Sequence, residues 1–194
     1  MEKERMAAFS DGVIAIIITV MVLELKVPQG TDWRALAGLW PVFVSYVLSF
    51  FYVAIYWNNH HHLLQPTRRV NGKILWANTH LLFWLSLVPF TTAWSGENHF
   101  AALPTALYGF DLAMSALAYY LLERAILREE GGESTLARAL GRDFKGKASP
   151  LLYTAAIGLA FVRPWMADLI YILVALMWVI PDRRIEKTVN NPPA

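Results

Sequence analysis

The sequence predicts an all-α, polytopic membrane protein with six transmembrane helices in each subunit. Of the 194 residues, 56% are hydrophobic and only 16% are charged, which is well below the roughly 25% charged share of a typical soluble domain. Apolar segments of the length that a bilayer requires, about 20 residues, recur along the chain. We therefore expect a single six-helix domain over residues 1–194, surrounded by lipid.

Composition excludes several classes of function. The net charge is only +2, and the basic residues lie between apolar segments instead of forming a groove, so nucleic acid is not an expected partner. Cysteine is absent, which excludes disulfides and thiolate metal sites. The chain contains no nucleophile elbow, phosphate loop, HExxH motif or TVGYG carbonyl filter. No enzyme activity, metal site or cofactor is predicted.

Four apolar segments are long enough to span a bilayer. The first one is followed by "ELKVP", which offers no small-residue cleavage site, so we expect a retained helix and not a signal peptide. The four segments are Phe9–Leu25, Leu36–Trp57, Ile74–Trp94 and Leu103–Leu122.

A cytoplasmic loop is expected at about 123–148, with Ser134 as the predicted cap of a short amphipathic helix.

The remaining apolar region, Ser149–Ile180, is too long for one crossing. A single helix of this length would extend for ~48 Å, whereas the hydrocarbon core is about 30 Å thick. Pro164 disfavours helical geometry at Arg163, so the chain is expected to fold back there. Two short crossing helices are predicted, although a re-entrant pair would also fit.

The basic residues predict the orientation. With the N-terminus inside the cell, 14 of the 17 basic residues fall in cytoplasmic segments, and only Lys26, Arg34 and Arg163 fall outside. Because cytoplasmic loops are enriched in Lys and Arg, we expect a multi-pass protein of the cell membrane with both termini in the cytoplasm.

The first helix is expected to carry an apolar stripe. At about 100° per residue, Thr19, Val20 and Leu23 fall within about 60° of Ile16. Ser10 and Asp11 lie about 120° or more from Ile16 on the same helix. Either packing in a helix bundle or a face along a transport pathway would explain this pattern.

Ionisable residues inside the membrane are expected to face protein or water. Asp111 is placed deep in the fourth segment, where a polar contact between helices is expected; depth alone suggests Arg163 as an alternative partner. Three consecutive histidines, His60 to His62, fan out by about 100° each and cannot converge on one metal ion. One of them facing the bundle core near Asp11 is the expected arrangement.

Three stretches in the first half of the chain carry recognisable motifs. "RMAAFSD" at residues 5–11 fits the pattern Arg-x-x-x-Phe-Ser-Asp at the start of the first helix, "WNNHHHLLQ" at 57–65 lies at the end of the second, and "NTHLLFWLSLVPF" at 78–90 lies in the third. Together, and in this order, the three stretches resemble the first three helices of the transmembrane protein 175 family of potassium channels. The resemblance covers the first half of the chain.

The resemblance implies a leak-type, potassium-selective cation channel without a carbonyl pore-loop filter. Prokaryotic members with one six-helix repeat form homotetramers, and the first helix of each subunit lines the pore at the tetramer axis. By position, Ile16 would be the main constriction, Val20 and Leu23 further apolar layers, and Thr19 a determinant of potassium preference; Ala15 replaces a serine of the animal repeat. The resemblance also implies a structural polar network of Arg5, Phe9, Ser10, Asp11, Trp57, His60 and Asn78.

Other functions remain open at this stage. A small secondary transporter could couple protons through Asp111 or Asp11, although such proteins usually contain repeated halves and residues 1–97 and 98–194 show no mutual similarity. A membrane scaffold would transport nothing. Proton conduction through the same pore is a variant of the channel.

Overall fold

The computed structural model describes residues 3–131 and 144–179, and these ranges contain seven α-helices and no strand. In chain order they are α1 Lys3–Leu23, α2 Trp33–Ala37, α3 Trp40–Leu64, α4 Gly72–Glu97, α5 Ala102–Glu130, α6 Phe144–Ala160 and α7 Pro164–Val179.

Four of these helices, α1, α3, α4 and α5, are long and apolar enough to cross a membrane. The apolar part of α6, Ala148–Ala160, and helix α7 are shorter. The all-helical fold is therefore confirmed, with four candidate membrane spans among the described residues, whereas six crossings remain a prediction. The expected fold-back is present, because α6 ends at Ala160 and α7 begins at Pro164.

Several helix boundaries differ from those predicted: α1 begins at Lys3 and not at Phe9, and α3 covers Trp40–Leu64 and not Leu36–Trp57. Helix α5 continues past Leu122 to Glu130, so the predicted loop starts later than 123. The extension has a physical reason: Leu122 and Ile126, one turn apart, are fully buried against the bundle although charged residues surround them. Ser134 lies outside the described residues. The short helix α2 was not predicted; the side chain of Asp32 caps it by accepting from the Ala35 amide at 2.9 Å.

The bundle is organised around α4 and α5. Helix α4 packs against α1, α3 and α5, and α5 packs against α4, α6 and α7. Helices α5 and α7 are in close contact at Gly109, where an added Cβ would lie 1.9 Å from the Tyr171 hydroxyl oxygen. That hydroxyl donates to the Thr105 carbonyl at 3.2 Å, while Tyr52 on α3 donates to the Tyr171 carbonyl at 2.6 Å. Small residues at such contacts allow membrane helices to approach closely.

Contacts identify which helix ends lie together. At one end of the bundle, called here the Lys3 end, Lys3 Nζ donates to the Gln65 carbonyl at 3.2 Å, which brings the start of α1 to the end of α3. At the opposite end, the Lys26 end, Lys26 Nζ and Glu97 Oε1 form an exposed ion pair. The hydrogen bond to the Glu97 carboxylate and its charge raise the pKa of Lys26 above its ordinary value.

Candidate permeation face on the first helix

Helix α1 has two faces of opposite character. Every third or fourth residue along one side is buried in the bundle, and the residues concerned are Met6, Ser10, Ile14, Ile17 and Met21. On the other side the large apolar side chains remain uncovered by the chain itself: Ile16 is 63% exposed and Leu23 is 79% exposed. Val20 and Thr19 are exposed on the same side. The four residues of the predicted stripe, Ile16, Thr19, Val20 and Leu23, therefore form one surface, called here the α1 stripe.

The hydroxyl of Thr19 is the polar group on the α1 stripe. Its Oγ1 donates to the carbonyl of Ile16 at 2.8 Å, a local bond that threonine often makes in helices. Because the hydroxyl hydrogen is engaged by the backbone, the oxygen retains its lone pairs as acceptors. An oxygen with free lone pairs can serve as a ligand for a hard cation.

A groove runs between α1 and α4 beside the stripe. Its volume is about 460 Å³, and its α1 wall contains Ile16 and Val20. Its α4 wall contains Ser86, Pro89 and Phe90, of which Phe90 is 60% exposed. The sequence analysis did not identify this contribution of α4. The available signal was the spacing of seven residues between Trp76, Phe83 and Phe90, which places all three exposed rings on one side of the helix.

Behind the stripe, a buried polar network joins three helices. Asn78 Nδ2 on α4 donates to Ser10 Oγ on α1 at 2.9 Å, and Ser10 Oγ donates to the Met6 carbonyl at 2.8 Å. Asn78 Oδ1 lies 2.8 Å from His60 Nε2 on α3. Because the amide nitrogen of Asn78 faces Ser10, its oxygen must accept, which assigns a proton to His60 Nε2. We call Ser10, His60 and Asn78 the core network; all three are at most 2% exposed.

A second, exposed contact ties α1 to α3. Trp57 Nε1 donates to Asp11 Oδ1 at 3.0 Å. One of the three consecutive histidines, His60, faces the bundle core, as expected, but its hydrogen-bond partner is Asn78 and not Asp11. His61 points to the exterior and its ring packs edge-on with that of His62, so the three imidazoles diverge.

Two residues of the predicted network are not brought into it. Phe9 is 62% exposed. Arg5 is also exposed, and within residues 3–131 and 144–179 no hydrogen bond or ion pair reaches its guanidinium. Both lie on the side of α1 that the bundle leaves uncovered.

Asp111 makes the expected polar contact between helices, and the alternative pairing with Arg163 is wrong. Asp111 is buried, and its Oδ2 accepts from Thr91 Oγ1 on α4 at 3.0 Å, whereas Arg163 is exposed in the turn between α6 and α7. A polar contact between helices is thus what the structure contains. Asp111 Oδ1 has no hydrogen-bond partner among the described residues.

Known proteins are similar to this chain along most of its length. The family model for the endosomal/lysosomal potassium channel TMEM175 matches residues 5–89. A potassium channel of Chryseobacterium sp. (strain P1-3) is 56% identical over 191 residues, which cover 98% of this chain and all of the relative. A potassium channel of Streptomyces collinus is 34% identical and covers 91% of both chains. The human endosomal/lysosomal proton channel TMEM175 is 32% identical over 116 residues, which make up 54% of this chain and 23% of the human protein.

A solved structure shares the fold. The crystal structure of a lysosomal potassium-selective channel TMEM175 homolog from Chamaesiphon minutus superposes with a TM-score of 0.80 at 27% identity, covering 93% of this chain and 98% of that one. Together with the relative that is 56% identical over 98% of this chain, this similarity shows that the chain belongs to the TMEM175 family.

Proposed function

We propose that this chain forms a potassium-selective, leak-type cation channel in which the α1 stripe lines the pore. The observation that carries the proposal is the division of α1: its Ile14 and Ile17 face is buried in the subunit, while its Ile16 and Leu23 face is uncovered. Three bacterial relatives are named potassium channels, which supports potassium as the permeant ion.

A homotetramer would give this face its function. Four copies of α1 around a common axis would place four Ile16 side chains in one ring, with Val20 and Leu23 as further rings toward the Lys26 end. A narrow apolar ring excludes water, and a small widening readmits water and ions. No carbonyl filter is required for such a gate, and the Thr19 oxygen supplies the one polar ligand on the stripe.

Charge supports an orientation with six crossings and both termini in the cytoplasm. Contacts place the start of α1, the end of α3, the start of α4 and the end of α5 together. Of the described basic residues, only Lys26, Arg34 and Arg163 belong to the other end of the helices. Because Lys and Arg are enriched in cytoplasmic loops, the Lys3 end faces the cytoplasm when the protein lies in the cell membrane.

Ion flux into liposomes containing the full-length protein tests the proposal. Potassium flux is expected to exceed sodium flux, and Ile16→Asn is expected to raise the flux or reduce this preference, because a polar ring wets at a smaller radius. Leu173→Asn is the matched control, since Leu173 on α7 is similarly exposed, at 54%, but lies off α1. Equal behaviour of the two variants would contradict the pore assignment, and absence of flux would favour a scaffold.

One observation favours a second candidate, a proton-coupled transporter. A buried carboxyl oxygen without a hydrogen-bond partner, as at Asp111 Oδ1, is typical of groups that bind protons within membranes. Asp11, the other carboxylate named for this role, is exposed and bonded to Trp57. Saturable flux that needs a proton gradient and is lost in Asp111→Asn would favour the transporter. Proton flux that survives in Asp111→Asn and responds to Ile16→Asn would instead assign protons to the α1 pore.

A further inference from the structure

A groove between α4 and α5 at the Lys3 end has a different character from the α1 stripe. Its volume is about 440 Å³. Three of its lining side chains are basic: Lys73 in the first turn of α4, and Arg124 and Arg128 near the end of α5. We call it the α4–α5 groove; its other lining residues are Asn71, Tyr120, Leu121, Ala125 and Glu129.

Within the part of the chain that the structure describes, the basic side chains of this groove have no acidic partner. Among residues 3–131 and 144–179, no ion pair within 4.0 Å joins the charged group of Lys73, Arg124 or Arg128 to a carboxylate. The one acid in the groove, Glu129, accepts from Asn71 Nδ2 at 2.6 Å. Three positive charges and one negative charge thus line the groove.

Arg124 is held in a defined position. Its Nε donates to the Tyr120 hydroxyl at 2.9 Å, and its guanidinium carbon lies 5.0 Å from the centre of the Tyr120 ring. Only one N–H is used in this bond, and the others remain available to an anion. A planar guanidinium suits the paired oxygens of a phosphate.

The groove continues into an apolar track on α5. At about 100° per residue, Phe110, Leu117 and Leu121 fall within about 40° of one another and of Arg128, with Arg124 on the edge of the same face. All three apolar side chains are more than 40% exposed. One face of α5 therefore presents two arginines near its end and an apolar strip behind them, toward the middle of the helix.

We infer that the α4–α5 groove binds the phosphate group of an anionic phospholipid, with an acyl chain lying along Phe110, Leu117 and Leu121. Basic pockets between transmembrane helices at the cytoplasmic side suit anionic head groups. A free phosphate would satisfy the cations but not the apolar track, which is why a lipid is the ligand that this surface fits.

Lipid binding to the purified full-length protein in detergent provides the test. We expect phosphatidylglycerol, but not phosphatidylcholine, to bind and to raise the melting temperature. Arg124→Gln with Arg128→Gln should lower phosphatidylglycerol affinity by at least about tenfold. Lys73→Gln, which changes the other helix, should weaken binding in the same direction. The matched control is Arg68→Gln with Arg69→Gln, which removes two charges at the same end but outside the groove.

Further measurements distinguish a lipid phosphate from free inorganic phosphate and test the site itself. Leu117→Asn should weaken phosphatidylglycerol binding without changing the response to inorganic phosphate. Equal losses in the groove and control double variants would overturn the site. Inorganic phosphate that alone reproduces the full thermal shift, together with unchanged phosphatidylglycerol binding in Leu117→Asn, would overturn the lipid as its ligand.

Discussion

Asn78 on α4 donates a 2.9 Å hydrogen bond to Ser10 on α1, and its side-chain oxygen lies 2.8 Å from the ring nitrogen of His60 on α3. One amide thereby links three helices at a fully buried point. The face of α1 opposite the stripe is fixed to the subunit by this bond, and the direction in which Ile16 projects follows from it.

Asn78→Leu should destabilise the fold. The substitution leaves the acceptor capacity of Ser10 and the His60 N–H buried without partners, at an expected cost of about 1–3 kcal/mol for each group. Thermal unfolding in detergent measures the effect. Thr79→Val is the control, since the neighbouring Thr79 is exposed and bonds only to the Leu75 carbonyl; a similar loss in both variants would contradict the role of the core network.

Ile16→Cys should make the channel sensitive to a cationic thiol reagent. The natural sequence has no cysteine, so the introduced thiol is the only reactive one. A charged group attached in the proposed ring would change potassium flux at once. Ile14→Cys serves as control because Ile14 is only 2% exposed; rapid modification there, or none at position 16, would contradict the assignment of the α1 faces.

Thr19→Val should reduce the preference for potassium over sodium while leaving total flux largely unchanged. Valine keeps the shape of threonine and removes the one side-chain oxygen on the α1 stripe. Reversal potentials in mixed potassium and sodium solutions measure the preference. Thr154→Val makes the same change on α6, where the hydroxyl also bonds to a backbone carbonyl, at 2.8 Å, and its selectivity should match the unmodified protein.

Gly109→Ala should destabilise the protein, because the new methyl group would overlap the Tyr171 hydroxyl. Overpacking of this kind costs about 1–3 kcal/mol. Adding Tyr171→Phe removes the nearest atom and should recover part of the loss. Gly158→Ala on α6 meets nothing within 4 Å and should be neutral or stabilising by about 0.5–1 kcal/mol; equal melting temperatures for the two alanine variants would contradict the close contact.

Helical periodicity predicted the α1 stripe correctly as a surface because residues three and four apart must share a side of a helix. The same rule could not place Arg5 or Phe9, since which side the bundle covers depends on neighbours distant in sequence. It also gave no partner for Asp111, because depth in the membrane does not identify the helix it faces; Thr91, on the preceding helix, is that partner. The roles of the stripe residues in conduction stay predictions.

The far end of α5 shows a different limit. Charged residues after Leu122 suggested a loop, but Ile126 is still buried one turn later, so the apolar contacts of two residues outweigh the polarity of the others. The sequence did not reveal the α4 wall of the groove beside the α1 stripe for the opposite reason. Helix α4 carries apolar residues on all of its sides, so no single face stands out by composition. Only the recurrence of aromatic rings at every seventh residue marks the side that borders Ile16.

The exposed pair Lys26–Glu97 has a mechanical consequence. It fastens the chain just beyond α1 to the last turn of α4, while Ser10 and Asn78 fasten α1 to α4 near the opposite end. The stretch that carries Ile16 is also held between these two contacts, because Ile14, Ile17 and Met21 on its other face are buried in the bundle. Bending this stretch outward alone would break those packing contacts, so in the proposed tetramer we expect the pore radius to change by tilting of whole subunits against one another.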